Sequence, residues 1–306
     1  MYALPSSYVD TMGEEMNSMH FQIVPVHKDT LIIFTWHSVS LLALEEGKML
    51  KYYTFNHENE NVVMVDRAGP MKWNPYRKVL PVMIVRCDNQ ESRRWNWDSE
   101  LLGEFSLETG ELTILPVSYP QVREYTQPEL YNCLGSDPLI TFSRDHYVVG
   151  FPGTPVVFFC NMRTHKTDSL FLQNPMYKPC PPYTMSEQWK KKESWHITLD
   201  VCDFRYTGMT YDASRDVYYR FFACDSLDFA PDGKVNAYLY CENGFTVLNS
   251  KLQMLGDAHW NAREVYSTAW YPTSKGIYGF AFRHNGNSCG DNRNGNIIKI
   301  NWKVRK

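Results

Sequence analysis

The stretch from Met209 to Phe222 constrains the fold of this chain more than any other. Thr210 and Tyr211 favour extended backbone, Asp212 to Asp216 supplies polar turn residues, and Val217 to Phe222 is an almost unbroken run of β-branched and aromatic side chains. This is a β-hairpin. In its second strand Tyr218 and Arg220 share one face, while Val217, Tyr219 and Phe221 share the other. Large apolar side chains therefore stand on both faces, which suits an inner strand packed against a neighbouring sheet on each side. Arg220 must then reach an acceptor or a wet channel.

The rest of the chain reads as looser versions of the same unit. Phe21 to Val26, Leu31 to Phe34, Val39 to Leu44 and Met49 to Phe55 form four short strands, with turns at Lys28-Asp29, near His37-Ser38 and at Glu45-Glu46-Gly47. Such a meander cannot bury both of its faces alone. Self-comparison supplies neighbours. Leu44-Glu45-Glu46-Gly47 returns as Leu107-Glu108-Thr109-Gly110, and Lys28-Asp29-Thr30-Leu31 is echoed by Arg144-Asp145-His146-Tyr147. Further hairpins are expected at Tyr238 to Val247, turning at Glu242-Asn243-Gly244, and at Trp270 to Phe280, turning at Ser274-Lys275-Gly276.

Repeated hairpins along a whole chain mark a repeat architecture. Six groups can be drawn, beginning near Phe21, Val62, Pro138, Trp195, Lys234 and Glu264, with long inserts at Gly69 to Arg77, Asn89 to Trp97, Pro120 to Leu134 and Asn174 to Glu193. Six units in 306 residues give 51 residues each, room for a four-stranded blade and its connections. No sustained 3.6-residue periodicity appears. The expected fold is all-β, a six-bladed β-propeller of four-stranded antiparallel blades forming one domain over residues 1–306.

Composition narrows the function classes. The net charge is -3, against a general nucleic-acid or anionic-membrane surface. The eight cysteines lack a C-x-x-C pair or regular spacing, which argues against a zinc ribbon or a thioredoxin-type site, and several end apolar runs, where a free thiol packs as a small hydrophobe. No apolar run reaches the length of a membrane span, and Met1 to Asp10 has neither the basic nor the apolar region of a leader. Export would require that a leader had been trimmed.

Several constellations resemble chemistry without carrying it. Gly286-Asn287-Ser288-Cys289-Gly290 matches the nucleophile elbow, but Gly, Asn and Asp follow where a helix is needed, and His284 precedes the serine. Asp291 to Asn296 superficially suggests a calcium loop, yet Arg293 stands at a ligand position and no glutamate closes it. No catalytic set, metal site or cofactor is expected. The candidates for ligand binding are Arg93, Trp95 and Trp97, which could stack on a sugar ring or a peptide, together with Arg215, Asp216 and Arg220 of the opening hairpin. As a turn residue, Arg215 is expected to contribute about 1 kcal/mol or less to stability.

The hairpin Tyr211-Asp212-x-x-Arg215-Asp216-x-Tyr218-Tyr219-Arg220, followed by Val247 to Leu252, resembles the six-bladed, TolB-like propeller lipoproteins of unknown function from gut Bacteroidetes. The likeness is best over Tyr206 to Phe282 and faint over Leu31 to Phe55. It implies a bacterial envelope location, periplasmic or anchored at the outer membrane, although the first cysteine is Cys87 and no acylated cysteine is present. The family carries no catalytic residues to transfer. The expected role is a monomeric binding or scaffold module for a protein or glycan. The alternatives are a hydrolase or lyase with its site in an axial channel, and a structural subunit of a complex.

Overall fold

The computed structural model describes residues 21–35, 38–54, 62–65, 71–86, 100–118, 138–151, 154–172, 174–176, 204–224, 242–261, 270–282 and 295–300. Among these residues the regular elements are nineteen β-strands in five antiparallel sheets. Contacts divide the chain into two units, Met1–Pro120 with Cys160–Thr167, and Gln121–Phe159 with Asp168–Lys306.

In the first unit, β1 (Phe21–His27), β2 (Thr30–Thr35), β3 (Ser38–Ala43) and β4 (Lys48–Thr54) pair in chain order, the meander expected from the sequence. The second sheet is β5 (Val62–Val65), β6 (Val79–Arg86), β7 (Glu100–Ser106) and β8 (Leu112–Ser118). Val24, Ile32, Phe34 and Val39 of one sheet pack with Leu80, Val82, Ile84 and Phe105 of the other. Edge strand β4 alternates between exposed and half-buried residues. Its inward side chains fasten the sheets: Lys51 Nζ and Tyr53 Oη donate to Leu107 O at 2.7 and 2.8 Å. Gly110 is obligatory beside them, because its φ is 77° and a Cβ would lie 2.6 Å from the Tyr53 ring.

The second unit holds three sheets. The strands β9 (Leu139–Phe142), β10 (His146–Phe151), β11 (Thr154–Asn161) and β12 (Thr167–Phe171) form one, apart from the β11–β12 hairpin tip. The next is β13 (Arg205–Asp212), β14 (Val217–Cys224), β15 (Glu242–Asn249) and β16 (Met254–Asn261), and the last is β17 (Trp270–Thr273), β18 (Gly276–Phe282) and β19 (Gly295–Ile300). The first strands of the three sheets are neighbours, with β13 beside both β9 and β17. Consecutive meanders whose first strands lie side by side are blades, and the fold class is the β-propeller.

The described blades number five, of three or four strands, not six. The groups that begin near Trp195 and Lys234 are one sheet, because β14 pairs with β15 from Val217↔Asn249 to Cys224↔Glu242. Glu242-Asn243-Gly244 is therefore the start of a strand, not a turn. Gly244 is there for space: a Cβ would lie 2.4 Å from the ring of Phe222, its cross-strand partner, and 2.5 Å from the carbonyl oxygen of Ala258. The expected turn at Ser274-Lys275 does join β17 to β18.

A shared turn recurs at Asn74–Lys78, Ser106–Gly110, Asn161–His165 and Asp212–Asp216. In each, the side-chain oxygen of the first residue accepts a backbone N–H two residues on. The fifth residue has positive φ, at 56°, 77°, 54° and 53°. The oxygen satisfies turn amides that no strand can reach.

Candidate functional site

Of the residues proposed to bind a ligand, Arg93, Trp95 and Trp97 lie outside the described residues. Arg215, Asp216 and Arg220 all belong to the β13–β14 hairpin. Strand β14 is buried on both faces. Tyr218 and Phe222 pack with Leu139, Val148 and Val157, while Val217, Tyr219 and Phe221 pack with Phe245, Val247 and Ile277. Phe204 stacks on Phe222 with centroids 5.3 Å apart, and Phe245 meets Tyr219 edge-on at 5.6 Å.

Arg220 sits on the first of these faces and is only 1% exposed. Its Nη2 donates to Thr154 O at 2.8 Å, and its Nη1 to Pro155 O at 3.1 Å and Leu172 O at 3.3 Å. The guanidinium carbon lies 3.3 Å from the centroid of the Tyr206 ring, a close cation–π contact. Tyr206 Oη donates to the same Leu172 carbonyl at 3.2 Å. Burial pushes the Tyr206 phenol above its usual range, opposed by the Arg220 charge. A Cβ at Gly150 would lie 3.5 Å from Nη2, so the backbone of β10 runs close to the cation. Nearby, Thr246 pairs with Arg220 across β14 and β15 and accepts a 2.8 Å bond from Asn174 Nδ2. Arg220 thus reaches protein acceptors at the ends of β11 and β12.

Asp216 and Arg215 belong to the turn headed by Asp212, itself only 2% exposed. Asp212 Oδ1 accepts from Ser214 N at 2.9 Å and from Ser214 Oγ at 2.6 Å, and Oδ2 accepts from Arg215 Nη1 and, at 3.3 Å, from Tyr219 Oη. Burial by itself would raise the Asp212 carboxyl, but the Ser214 and Arg215 hydrogen bonds and the Arg215 charge outweigh it and hold the group below its usual range. Arg215 then reaches across to the β17–β18 turn, with Nη1 2.8 Å from Thr273 O and Nη2 3.2 Å from Ser274 O. Asp216 accepts from Tyr211 Oη at 2.7 Å.

The hairpin therefore carries three of the six candidate residues without gathering them at one place, since Arg220 reaches β11 and the end of β12 while Arg215 reaches the β17–β18 turn, and each makes hydrogen bonds within the fold. Sequence reasoning missed Asp212 and Tyr206, the anchors beside the two arginines, because nothing local distinguishes a buried turn aspartate from an exposed one. In the first unit, buried Glu104 is held by Arg77 through Nη2 at 2.9 Å and Nε at 2.8 Å, and burial lowers Lys72 to about 8. Among the described residues, no three His, Cys, Asp or Glu side chains group as a metal site. Among the described residues Cys160 is a buried thiol and Cys224 a half-buried one.

What the described surface does present is apolar side chains on edge strands. Leu50 and Tyr52 of β4 are exposed, as are Leu170 and Phe171 of β12 and Met254 and Leu255 of β16. The sequence shows these as strand hydrophobics and does not distinguish them from core residues.

No protein-family model matches the chain, and no curated protein matches it. Solved structures do. A member of the DUF4221 family from Bacteroides vulgatus aligns over 89% of this chain and 76% of its own, at 15% identity and a TM-score of 0.59, a likeness of fold alone. A protein of unknown function from Bacteroides caccae aligns over 87% and 72% at 9% identity, with a TM-score of 0.40. A chain of the Mitotic Checkpoint Complex aligns over 85% and 71% at 9% identity, with a TM-score of 0.42. No helix among the described residues is long and apolar enough to cross a membrane.

Proposed function

We propose that this chain is a binding or scaffold propeller of a bacterial cell envelope, and that its ligand is a protein in preference to a glycan. The observation that carries the reading is the exposure of large apolar side chains on blade-edge strands, with Phe171 at 61%, Leu255 at 52% and Leu50 at 45%. Aliphatic and aromatic groups held on rigid strands suit the apolar core of a protein interface, whereas a sugar site needs a flat ring flanked by polar donors. The envelope location rests on the resemblance of the β13–β14 hairpin to the Bacteroidetes propeller lipoproteins.

The reading is tested by titrating immobilised protein with solubilised envelope proteins and with a glycan panel. Saturable binding of one envelope protein is expected, lost on Phe171→Ser or Leu255→Ser with the circular dichroism unchanged. Binding that survives both substitutions would overturn the edge-strand reading. Saturable glycan binding, or turnover of a glycan, would overturn the choice of ligand.

A further inference from the structure

We infer that strand β16 pairs with β16 of a second copy of this chain, edge to edge and antiparallel, in the register that sets Asp257 opposite His259. Among the described residues β16 is the last strand of its sheet and pairs with β15 alone, so its other edge faces no strand. The corresponding edges of the other four-stranded sheets are guarded. Strand β4 is bulged opposite Leu41 and Leu42 and starts at exposed Lys48, β8 carries exposed Pro116, and β12 is five residues long. Strand β16 has neither lysine nor proline, and past a bulge opposite Val247 and Leu248 its residues 256–261 keep unbroken register with β15. An unguarded edge of that length accepts a further strand.

Its own sequence is a strand that fits. Successive residues turn their N–H and C=O groups to opposite edges, so two β16 strands can pair antiparallel only in registers centred on a residue. A centre at Asp257 sets two carboxylates face to face, a centre at His259 two imidazoles, and a centre at Gly256 sets Asp257 against Leu255. A centre at Ala258 sets Asp257 of each copy against His259 of the other, and the two-fold axis makes that pair twice. Both residues are exposed, and His259 Nδ1 lies 3.5 Å from Glu242, which leaves Nε2 to meet a second carboxylate. The same register puts Gly256 opposite Trp260 of the second copy. A Cβ at Gly256 would meet nothing within 4 Å, so an indole has room to lie over the glycine. Pairing engages the backbone edge of β16 and leaves its faces, Leu255 among them, to the protein ligand proposed above. The chain is then a symmetric dimer, not the monomer expected from its sequence.

Sedimentation equilibrium of the full chain over a concentration series tests this. The parent should show a reversible monomer–dimer equilibrium. His259→Asp, which sets carboxylate against carboxylate at both pairs, and Asp257→Lys, which sets a cation against an imidazole, should each weaken dimerisation at least about tenfold with the circular dichroism unchanged. Mixed in equal amounts, the two variants should associate again, because each supplies the charge that the other lacks. The double variant Asp257→Lys/His259→Asp should dimerise by itself. Leu255→Ser, aimed at the ligand contact, should move the equilibrium by less than about twofold, so the two readings fail separately. A parent that stays monomeric throughout the series would overturn the proposal, as would dimerisation that both single variants retain. Dimers lost in the single variants and not regained in their mixture would overturn the register.

Discussion

Replacing Arg220 tests whether the buried cation holds two sheets together or merely tolerates its position. Three hydrogen bonds from the guanidinium to backbone carbonyls would each contribute about 1 kcal/mol, below the roughly 1.5–3 kcal/mol usual where one partner is charged. The smaller figure applies because Pro155 O also accepts from Leu172 N at 3.0 Å and Leu172 O from Tyr206 Oη at 3.2 Å, so two carbonyls keep a donor when the arginine goes. The contact with Tyr206 adds about 1 kcal/mol. Against this stands the cost of holding a guanidinium out of water, which an apolar replacement recovers in part. Arg220→Met, which fills much of the same volume, should therefore lose about 2 kcal/mol. Arg220→Ala, which also opens a cavity among Tyr206, Tyr218 and Phe222, should lose about 4 kcal/mol. Urea titration followed by tryptophan fluorescence measures both, with an unchanged slope expected if only the native state is affected. A methionine variant as stable as the parent would refute the reasoning, because desolvation would then cancel the bonds and the arginine would contribute nothing net to the seam.

Other expectations follow from the same geometry. Gly244→Ala should cost about 3 kcal/mol or abolish folding, since the added carbon meets the Ala258 carbonyl and not only the Phe222 ring, and backbone cannot give way as a side chain does; thermal melts decide it. Tyr219→Ala should lose about 3 kcal/mol in a denaturant titration, as a fully buried ring on the face that meets Ile277. Lys78→Gly should raise stability by roughly 0.5 to 1 kcal/mol, because Lys78 holds a positive φ that costs a side chain energy and glycine nothing, and a lower melting temperature would contradict it. Asp212 contributes stability that is complete above the unfolded carboxyl pKa near 4 and is lost as pH falls through its lower folded value; Asp212→Asn should flatten that acid limb in a pH series of urea titrations.

The alternation of side chains in Val217 to Phe222 gave away both the strand and its inner place, since a run with aromatics on each face has no solvent side to offer. The meander from β1 to β4 was legible for the same reason, with apolar runs bounded by turn residues. The blade count was not. Asn243-Gly244 has the sequence of a tight turn, but Gly244 is required by the Phe222 ring across the ladder, a non-local demand that the dipeptide does not display. The recurring turn escaped notice because Asn, Ser and Asp do one job in it, accepting backbone N–H bonds, and glycine fills the fifth position only at Gly110. Arg215 read as a surface residue worth about 1 kcal/mol or less. The depth of Asp212 changes that estimate, because removing the arginine leaves a buried carboxylate without its counter-charge, held only by Ser214 and Tyr219, and burial depth is a property of packing that no local pattern encodes.

The two arginines of the hairpin also explain why its resemblance to a family says so little about activity. Arg220 reaches two carbonyls of β11 and the Leu172 carbonyl that follows β12, and Arg215 reaches the carbonyls of the β17–β18 turn, so the hairpin is fastened to the sheets on either side of it. Asp212 supports the Arg215 link directly and Tyr219 supports it through Asp212, while Tyr211 and Asp216 bond to each other. In this chain the hairpin joins one blade to its neighbours, and a fold does not by itself set a function. Function has to be sought in side chains that the joints do not occupy, and among the described residues the exposed apolar edges of β4, β12 and β16 are where such side chains stand.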